Sequence, residues 1–375
     1  MPPLCSPPPD FGTTKDPDWS RSRVLLLLAA TATAAVPGIS AAGATPSSRL
    51  ATAAADAELL VWGPGHHRPH GLPPLPAGVS PALISHVVLR ELGWLERLQV
   101  VDLGCHQAPA VPHLRLPGLE SAGPANCLSS GAALDPQRVT ALLERGHRWG
   151  AALDPTRPLV LAECVPGGTS TALAVLRGLG LAADGLVSGS LRRSAHGLKA
   201  SLVDAGLTAA ALNSGQGSPQ QVLAAVGDPM QALAAGLLSA ASRRGVAVLL
   251  AGGSQMAAVL ALALALTAPE LRPGLASQVR LATTAWVAEE SDSDLNRLLA
   301  LIGERWQVRP RLEVAALRFH GSSCRALADY ERGFVKEGVG AGGLAWLWQG
   351  QGREPATLAR ACEAACAELL AEAGA

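Results

Sequence analysis

The chain has 375 residues, 49% of them hydrophobic and 3% aromatic, and its 30 basic residues are matched by 30 acidic ones. That length predicts two domains or one large domain with an appendage, and the balanced charge excludes a surface built to draw in nucleic acid or anionic lipid. Seven cysteines (Cys5, Cys105, Cys127, Cys164, Cys324, Cys362, Cys366) form no C-x-x-C pair. Their odd number argues against a disulfide framework, so a reduced, cytoplasmic protein is expected.

In chain order, residues 1–22 are rich in proline and charge and are expected to form a disordered N-terminal extension. Arg21-Ser22-Arg23 followed by VLLLLAATATAAV imitates a signal peptide. The run is too short to cross a bilayer and ends in the turn Pro37-Gly38-Ile39-Ser40 after a plausible strand, so export is not expected. Short apolar runs then recur at Val24–Thr31, Leu59–Trp62, Leu98–Leu103, Leu159–Glu163, Gly185–Val187, Val246–Ala251, Val279–Thr283 and Leu312–Leu317, and each reads as a strand. Between most of them lie segments with helical spacing. Two of these, 80–98 and 135–153, open with Ser80-Pro81 and Asp135-Pro136, a cap followed by a proline at the first helical position. Residues 104–134 have no clear period and are expected to form loops over the sheet. After about residue 320 the strands stop, and Glu354–Ala375 reads as an alanine-rich helix. The alternation predicts an α/β fold: a doubly wound, mostly parallel sheet with helices on both faces and a small helical lobe. The expected divisions are 1–22, an α/β domain at 23–350, and a helix at 351–375 packing on the small lobe or a partner subunit.

The chain is organised around Pro158–Gly180. PLVLAEC reads as a buried strand, Pro166-Gly167-Gly168 as a turn, and Thr169-Ser170-Thr171 as the start of a helix. Free N–H groups and the positive helix end there make an anion site that glycine lets a phosphate approach. Thr169 would equally serve as a plain helix cap. Glu163, at the mouth of the strand, stands where α/β proteins keep their chemistry.

Three further stretches repeat the theme. Gly252-Gly253-Ser254-Gln255 follows a strand and precedes a small-residue helix. Ser188-Gly189-Ser190 ends another expected strand and precedes Arg192, Arg193, His196 and Lys199. Lys199 is a candidate to neutralise a phosphate, although a solvated surface lysine is the commoner fate. FVKEGVGAGGLAWLW (334–348) satisfies G-x-G-x-x-G by letters at Gly338 to Gly343, but no good strand precedes it and too little chain follows for a dinucleotide unit. Glu337 there reads as an acid presented to a crevice, or more plainly as a surface acid paired with Lys336 or Arg332. Gly65-His66-His67-Arg68-Pro69-His70 lacks metal-ligand spacing, so no metal is expected. Neither a P-loop nor a G-x-S-x-G elbow occurs.

ECVPGGTSTA (163–172), AGGSQMAA (251–258) and VKEGVGAGG (335–343), in that order, resemble the nicotinate-nucleotide–dimethylbenzimidazole phosphoribosyltransferase family, nearest its uncharacterised archaeal and cyanobacterial branch. PGISA (37–41) and SPALIS (80–85) add to the likeness, which covers roughly residues 24–350. It implies a parallel-sheet fold, usually a homodimer, with no cofactor and no metal. It also implies transfer of phosphoribose from nicotinate mononucleotide to a cobamide lower-ligand base, with nicotinate and an α-riboside phosphate as products. Residue by residue it makes Glu337 the general base and Glu163 a second acid. It assigns Gly167, Gly168, Thr169, Ser170, Thr171, Lys199, Gly252, Gly253, Ser254, Gly338 and Gly340 to phosphate or nucleotide binding. The sequence departs from the better-known bacterial members at Gly168, where they carry asparagine, and at Gln255, where some carry an acid.

Two other classes stay open at this point. One is a phosphoribosyltransferase using the pyrophosphate donor, although such loops usually carry two adjacent acids and here Cys164 follows Glu163. The other is a non-catalytic nucleotide-binding protein on the same fold. The acceptor base is not legible in the sequence.

Overall fold

Seven strands form one sheet in this computed structural model, which describes residues 16–373 apart from 74 and 76. They are β1 (Arg23–Leu28), β2 (Leu98–Asp102), β3 (Leu114–Arg115), β4 (Leu159–Cys164), β5 (Val248–Ala251), β6 (Val279–Thr284) and β7 (Arg311–Ala315). Their order is β3-β2-β1-β4-β5-β6-β7, and every neighbouring pair is parallel. The central strands read as near-continuous Val, Leu and Ala runs because both of their faces are covered. All six residues of β4 are buried.

Alternate side chains of each strand enter two separate cores. Leu25, Leu27, Leu159 and Leu161 pack with the helices Pro136–Ala151, Gly168–Gly178, Pro229–Arg243 and Ser254–Leu266. Val24, Leu26, Leu28, Val160 and Ala162 pack with Thr52–Trp62, Ala82–Glu91, Ala341–Gly350 and Pro355–Ala373. The doubly wound α/β architecture is therefore as expected. What the sequence presents as a small lobe is the second helical face, assembled from both ends of the chain. The last helix packs there on Ala82–Glu91 and Ala341–Gly350.

Two expected strands are absent. Leu59–Trp62 is the end of the helix Thr52–Trp62, because the alanine-rich residues before it favour helix and a four-residue apolar run cannot by itself distinguish the two states. Gly185–Val187 is a turn: Gly185 lies at φ +74° and Leu186 N–H donates to Ala183 O at 3.1 Å. In the other direction, the loop region 104–134 contains the two-residue edge strand β3, too short to leave a sequence pattern. Of the expected extension 1–22, residues 1–15 lie outside the described residues. Trp19–Arg21 forms a 3₁₀ turn, Trp19 meets Trp346 edge-on at 6.0 Å, and Asp16 pairs with Arg280 of β6.

β1 has β2 on one side and β4 on the other, and the chain winds outward in both directions from this pair. Open α/β sheets bind ligands at the carboxyl ends of strands beside such a reversal.

Candidate active site

Two strand-to-helix turns and one helix-to-helix turn meet at the carboxyl ends of β4, β5 and β6. After β4, Gly167 adopts φ +81°, and a Cβ there would lie 2.9 Å from Ala34 N, so this position needs glycine on both counts. Gly168, the first residue of its helix, lies against Gln255, and any Cβ on it would collide with Gln255 Oε1. After β5, Gly252 N–H donates to Ala282 O at 2.9 Å, and Ser254 Oγ accepts from Ser188 N–H at 3.0 Å.

The third turn, Val335–Gly340, reaches the end of β6 from the far end of the sequence. Val335, Lys336 and Val339 sit at φ +64°, +63° and +53°. Side chains with a Cβ, branched ones above all, adopt this region only when surrounding contacts hold them. Val335 N–H donates to Ser190 O at 3.0 Å and Thr284 Oγ1 donates to Lys336 O at 2.7 Å. The buried Lys336 ammonium meets Glu290 Oε2 at 2.5 Å and Leu191 O at 3.0 Å. Gly342 and Gly343 have no room for a Cβ against Thr283 and Ala251, so the helix Ala341–Gly350 seats directly on the strand ends.

These turns enclose a cleft of about 500 Å³, a size ordinary for a small-molecule site. Four carboxyl groups line it, Glu372 at the rim and Glu337, Glu163 and Asp56 buried. Glu337 is fully engaged: Oε1 accepts from Gly338 N–H (3.1 Å) and Gly342 N–H (3.0 Å), and Oε2 from Thr283 Oγ1 (3.0 Å) and Thr284 N–H (2.9 Å). Burial raises its pKa, and these four donors oppose the rise. Glu163 is less engaged, with Val165 N–H at 3.0 Å from Oε2 and the Gln255 amide beside it. Burial pushes Glu163 up to about 8, with the charges of Asp228 and Glu337 adding to the shift. Asp56 is pushed up to about 6 by burial, against hydrogen bonds from Ser80 and Cys164.

Of the residues that sequence reasoning selected, Glu163, Gly167, Gly168, Thr169, Gly253, Ser254, Glu337 and Gly338 line this cleft together. The others are elsewhere. The Thr171 hydroxyl is 2.6 Å from Asp228 Oδ2 and 2.9 Å from Gly168 O, inside the helix layer. Ser170 is buried without a side-chain partner. Gly340 is a packing position, since a Cβ on it would come within 2.8 Å of Ala162 Cβ. Gly252 serves the β5–β6 junction.

Lys199, expected as a phosphate cation or a solvated surface lysine, is buried and does not itself line the cleft. It is 1% exposed and donates to Ser188 O at 3.0 Å, from behind the Ser188–Ser190 segment that lines the cleft. Burial pulls it down to about 8, with Lys336 adding and Glu290 and Asp292 opposing. The anion site is also thinner than the letters imply. Gly168 N–H is committed to Val165 O at 2.8 Å and Ser170 N–H to Gly167 O at 2.9 Å, which leaves fewer N–H groups of this turn to receive an anion.

Sequence reasoning missed Asp56, Arg68 and Ser40, and the wall formed by Leu369, Leu370 and Glu372 at the tip of the last helix, while the Ser188–Ser190 stretch that it singled out does line the cleft. Arg68 donates to Glu372 at 2.7 Å and to Gly63 O at 2.8 Å, tying that tip to the histidine loop. The available signal was an acid, Asp56, inside an otherwise apolar alanine run. In the histidine loop itself, His70 bonds Glu58 through Nδ1 and N–H. Among the described residues no group of three or more His, Cys, Asp or Glu is placed to hold a metal ion.

The model of a family described as phosphoribosyltransferase matches residues 91–277. The UPF0284 protein of Parasynechococcus marenigrum (strain WH8102) is 54% identical over 355 residues, which cover 93% of this chain and 88% of that protein. The UPF0284 protein of Nostoc sp. (strain PCC 7120) is 44% identical over 333 residues, covering 84% and 85%. The fold is similar to the crystal structure of the nicotinate-nucleotide–dimethylbenzimidazole phosphoribosyltransferase from Thermus thermophilus. That match has a TM-score of 0.56 and 18% identity, over 92% of this chain and 82% of that one. At that identity the likeness to the Thermus protein is one of fold. These findings agree with the family resemblance carried by the three glycine motifs.

Proposed function

The chain belongs to the UPF0284 family and carries a phosphoribosyltransferase domain over residues 91–277, and from that premise we propose that it moves phosphoribose from nicotinate mononucleotide to a ring nitrogen of an aromatic base. The observation that carries this reading is one cleft in which two helix starts, at Gly168 and Ser254, face two buried glutamates. Helix N-termini favour the phosphate, and buried carboxylates of high proton affinity suit an acceptor that must lose a proton.

In the reaction the acceptor nitrogen forms a bond to C1′ and the C1′–N bond to nicotinate breaks, its electron pair leaving with the nicotinate nitrogen. The proton released from the acceptor goes to a carboxylate. Thr169 and the start of the Ser254 helix hold the phosphate, with Gly167, Gly168 and Gly253 providing close approach. Glu163 and Glu337 divide the remaining work according to their hydrogen-bond loads. Glu163 takes up the proton, since its carboxyl group has the fewer donors. Glu337, whose carboxylate accepts four hydrogen bonds, stands as a negative charge facing the positive charge that develops at C1′. The family resemblance gives the base role to Glu337 itself, and the two assignments separate by mutation.

The catalytic unit in this reading is 23–350, with the helix at 351–375 completing the cleft wall. The enzyme works as a cytoplasmic homodimer without a cofactor. No described helix is long and apolar enough to cross a membrane. Incubating the pure protein with nicotinate mononucleotide and a panel of aromatic bases tests the proposal. Base-dependent release of nicotinate supports it. Turnover only with the pyrophosphate donor and magnesium, or mononucleotide binding without release, overturns it.

A further inference from the structure

The cleft that would take the mononucleotide also has an apolar wall, built from Leu72, Pro73, Leu75 and Val79 before the helix Ala82–Glu91 and from Leu369 and Leu370 of the last helix. Apolar side chains of this kind suit the faces of an aromatic ring. One acid interrupts them. Asp56, on the helix Thr52–Trp62, lines the cleft with its side chain 5% exposed.

Its two oxygens are unequally served. Oδ1 accepts from the Ser80 hydroxyl at 2.6 Å, and that serine is itself fixed because its Oγ accepts from Ala82 N–H at 3.1 Å. Oδ2 has the Cys164 thiol at 3.4 Å, and a thiol is a weak donor. No cation contributes to its surroundings. A buried carboxylate oxygen left with so little costs free energy that a bound N–H group recovers. The carboxylate is held by Ser80 and, more weakly, by Cys164, so Oδ2 is fixed in place before any ligand arrives.

We infer that Asp56 selects the acceptor: Oδ2 accepts a hydrogen bond from an N–H group that the base carries in addition to its attacking nitrogen. Amino-substituted heteroaromatic bases are then preferred over phenols and over bases with a methyl group at that place. Asp56 is a specificity-determining residue here, and proton removal from the attacking nitrogen is left to Glu163. The inference rests on the transferase reading only in calling the bound base an acceptor.

The test is equilibrium titration of the full chain, with and without nicotinate mononucleotide, using benzimidazole and its 4-amino, 5-amino, 4-methyl and 5-methyl derivatives. The wild type should bind one amino base at least about tenfold more tightly than its methyl counterpart, the size expected for a hydrogen bond to a buried charged group. Asp56→Asn keeps an acceptor for Ser80 and presents an amide N–H to the ligand, so it should abolish or reverse the preference. Mere loosening of the fold would weaken both bases alike. Equal binding of amino and methyl bases by the wild type, or a preference that survives Asp56→Asn, overturns the inference. Should that variant not fold, the wild-type ratio is followed against pH. The preference should fade as pH drops through about 6, where the carboxyl takes up a proton, and a ratio that does not move there overturns the inference. Because binding is read without turnover, a protein with this preference that releases no nicotinate would overturn the transferase and leave Asp56 in its role.

Discussion

The backbone N–H of Val339 donates to the carbonyl oxygen of Glu163 at 3.0 Å. This bond joins the end of β4 to a turn that lies far away in sequence, and so sets the two glutamates on one cleft. Thr283 and Thr284 grip the Glu337 carboxylate from β6, and Thr284 also holds the carbonyl of Lys336. Two strand ends, those of β4 and β6, are thereby locked to one strained turn before any ligand binds. Such preorganisation allows fixed charges to act without rearrangement during reaction.

Glu337→Gln should therefore do more than remove a base. Each of the four partners of Glu337 is a donor, and the amide would point its own N–H₂ at two of them. A buried donor left unpaired costs about 1–3 kcal/mol. Chemical denaturation should show a loss of that size, together with reduced turnover. An unchanged unfolding midpoint would mean that the turn does not depend on this carboxylate.

Gly168→Ala should weaken mononucleotide binding by at least about tenfold in a protein that still folds. The added methyl cannot coexist with Gln255 as placed, and Gln255 in turn contacts Glu163. The displaced amide must swing into the cleft at the phosphate end. Titration of the folded variant decides, and wild-type affinity would remove the glycine turn from the phosphate site.

How much of this was legible beforehand follows from what each element needed. β4 and its glycine turn announce themselves because a strand buried on both faces must be apolar throughout and the turn must bend at a positive φ. The parallel, doubly wound sheet follows from the alternation of elements. Lys199 was misleading, because its role depends on a carbonyl, Ser188 O, that only the folded loop brings under it. Asp56 left only the faint signal of an acid in an alanine-rich run, and the tip of the last helix left none, since nothing local signals that both ends of the chain fold onto one face of the sheet.

Lys199→Met should accordingly cost stability more than affinity. The ammonium supports the segment Ser188–Ser190 and does not line the cleft. Loss of a buried hydrogen bond to a charged group is worth about 1.5–3 kcal/mol, whereas mononucleotide affinity should change by no more than about threefold. A large loss of affinity at unchanged stability would return Lys199 to the phosphate.

Stability of the unliganded protein should fall as pH rises from about 4 to 8. Glu163, Asp56 and Asp228 are buried and have folded pKa values raised to about 8, 6 and 6 from 4.5, 3.8 and 3.8. Across that window the folded state holds protons that the unfolded state has released, so each unit of pH favours unfolding. Above about pH 8 the depressed Lys199 contributes in the opposite sense, since there the unfolded state binds more protons. Denaturation midpoints at pH 5 and pH 8 check the slope. Glu163→Gln should flatten it, and an unchanged slope in that variant would show that Glu163 is ionised throughout.

The same variant separates the two glutamates in catalysis. If Glu163 takes the acceptor proton, Glu163→Gln should lower kcat by about 10²–10⁴-fold, the range for a positioned general base. Mononucleotide affinity should hold, because the amide keeps the shape beside Val165 and Gln255. The acidic limb of the kcat–pH profile should go with it, since that limb reports ionisation of the base in the complex. Glu337→Gln would also lower kcat, but with the acidic limb retained, because a fixed charge contributes without exchanging its proton. Gln255 provides an internal control. Its amide hydrogen-bonds Glu163, so Gln255→Leu should move the limb upward by removing a donor to the carboxylate, and should do so in the Glu337→Gln background as well. If instead the limb survives Glu163→Gln and vanishes in Glu337→Gln, proton uptake belongs to Glu337. In that case its four donors are bonds that the reaction must break.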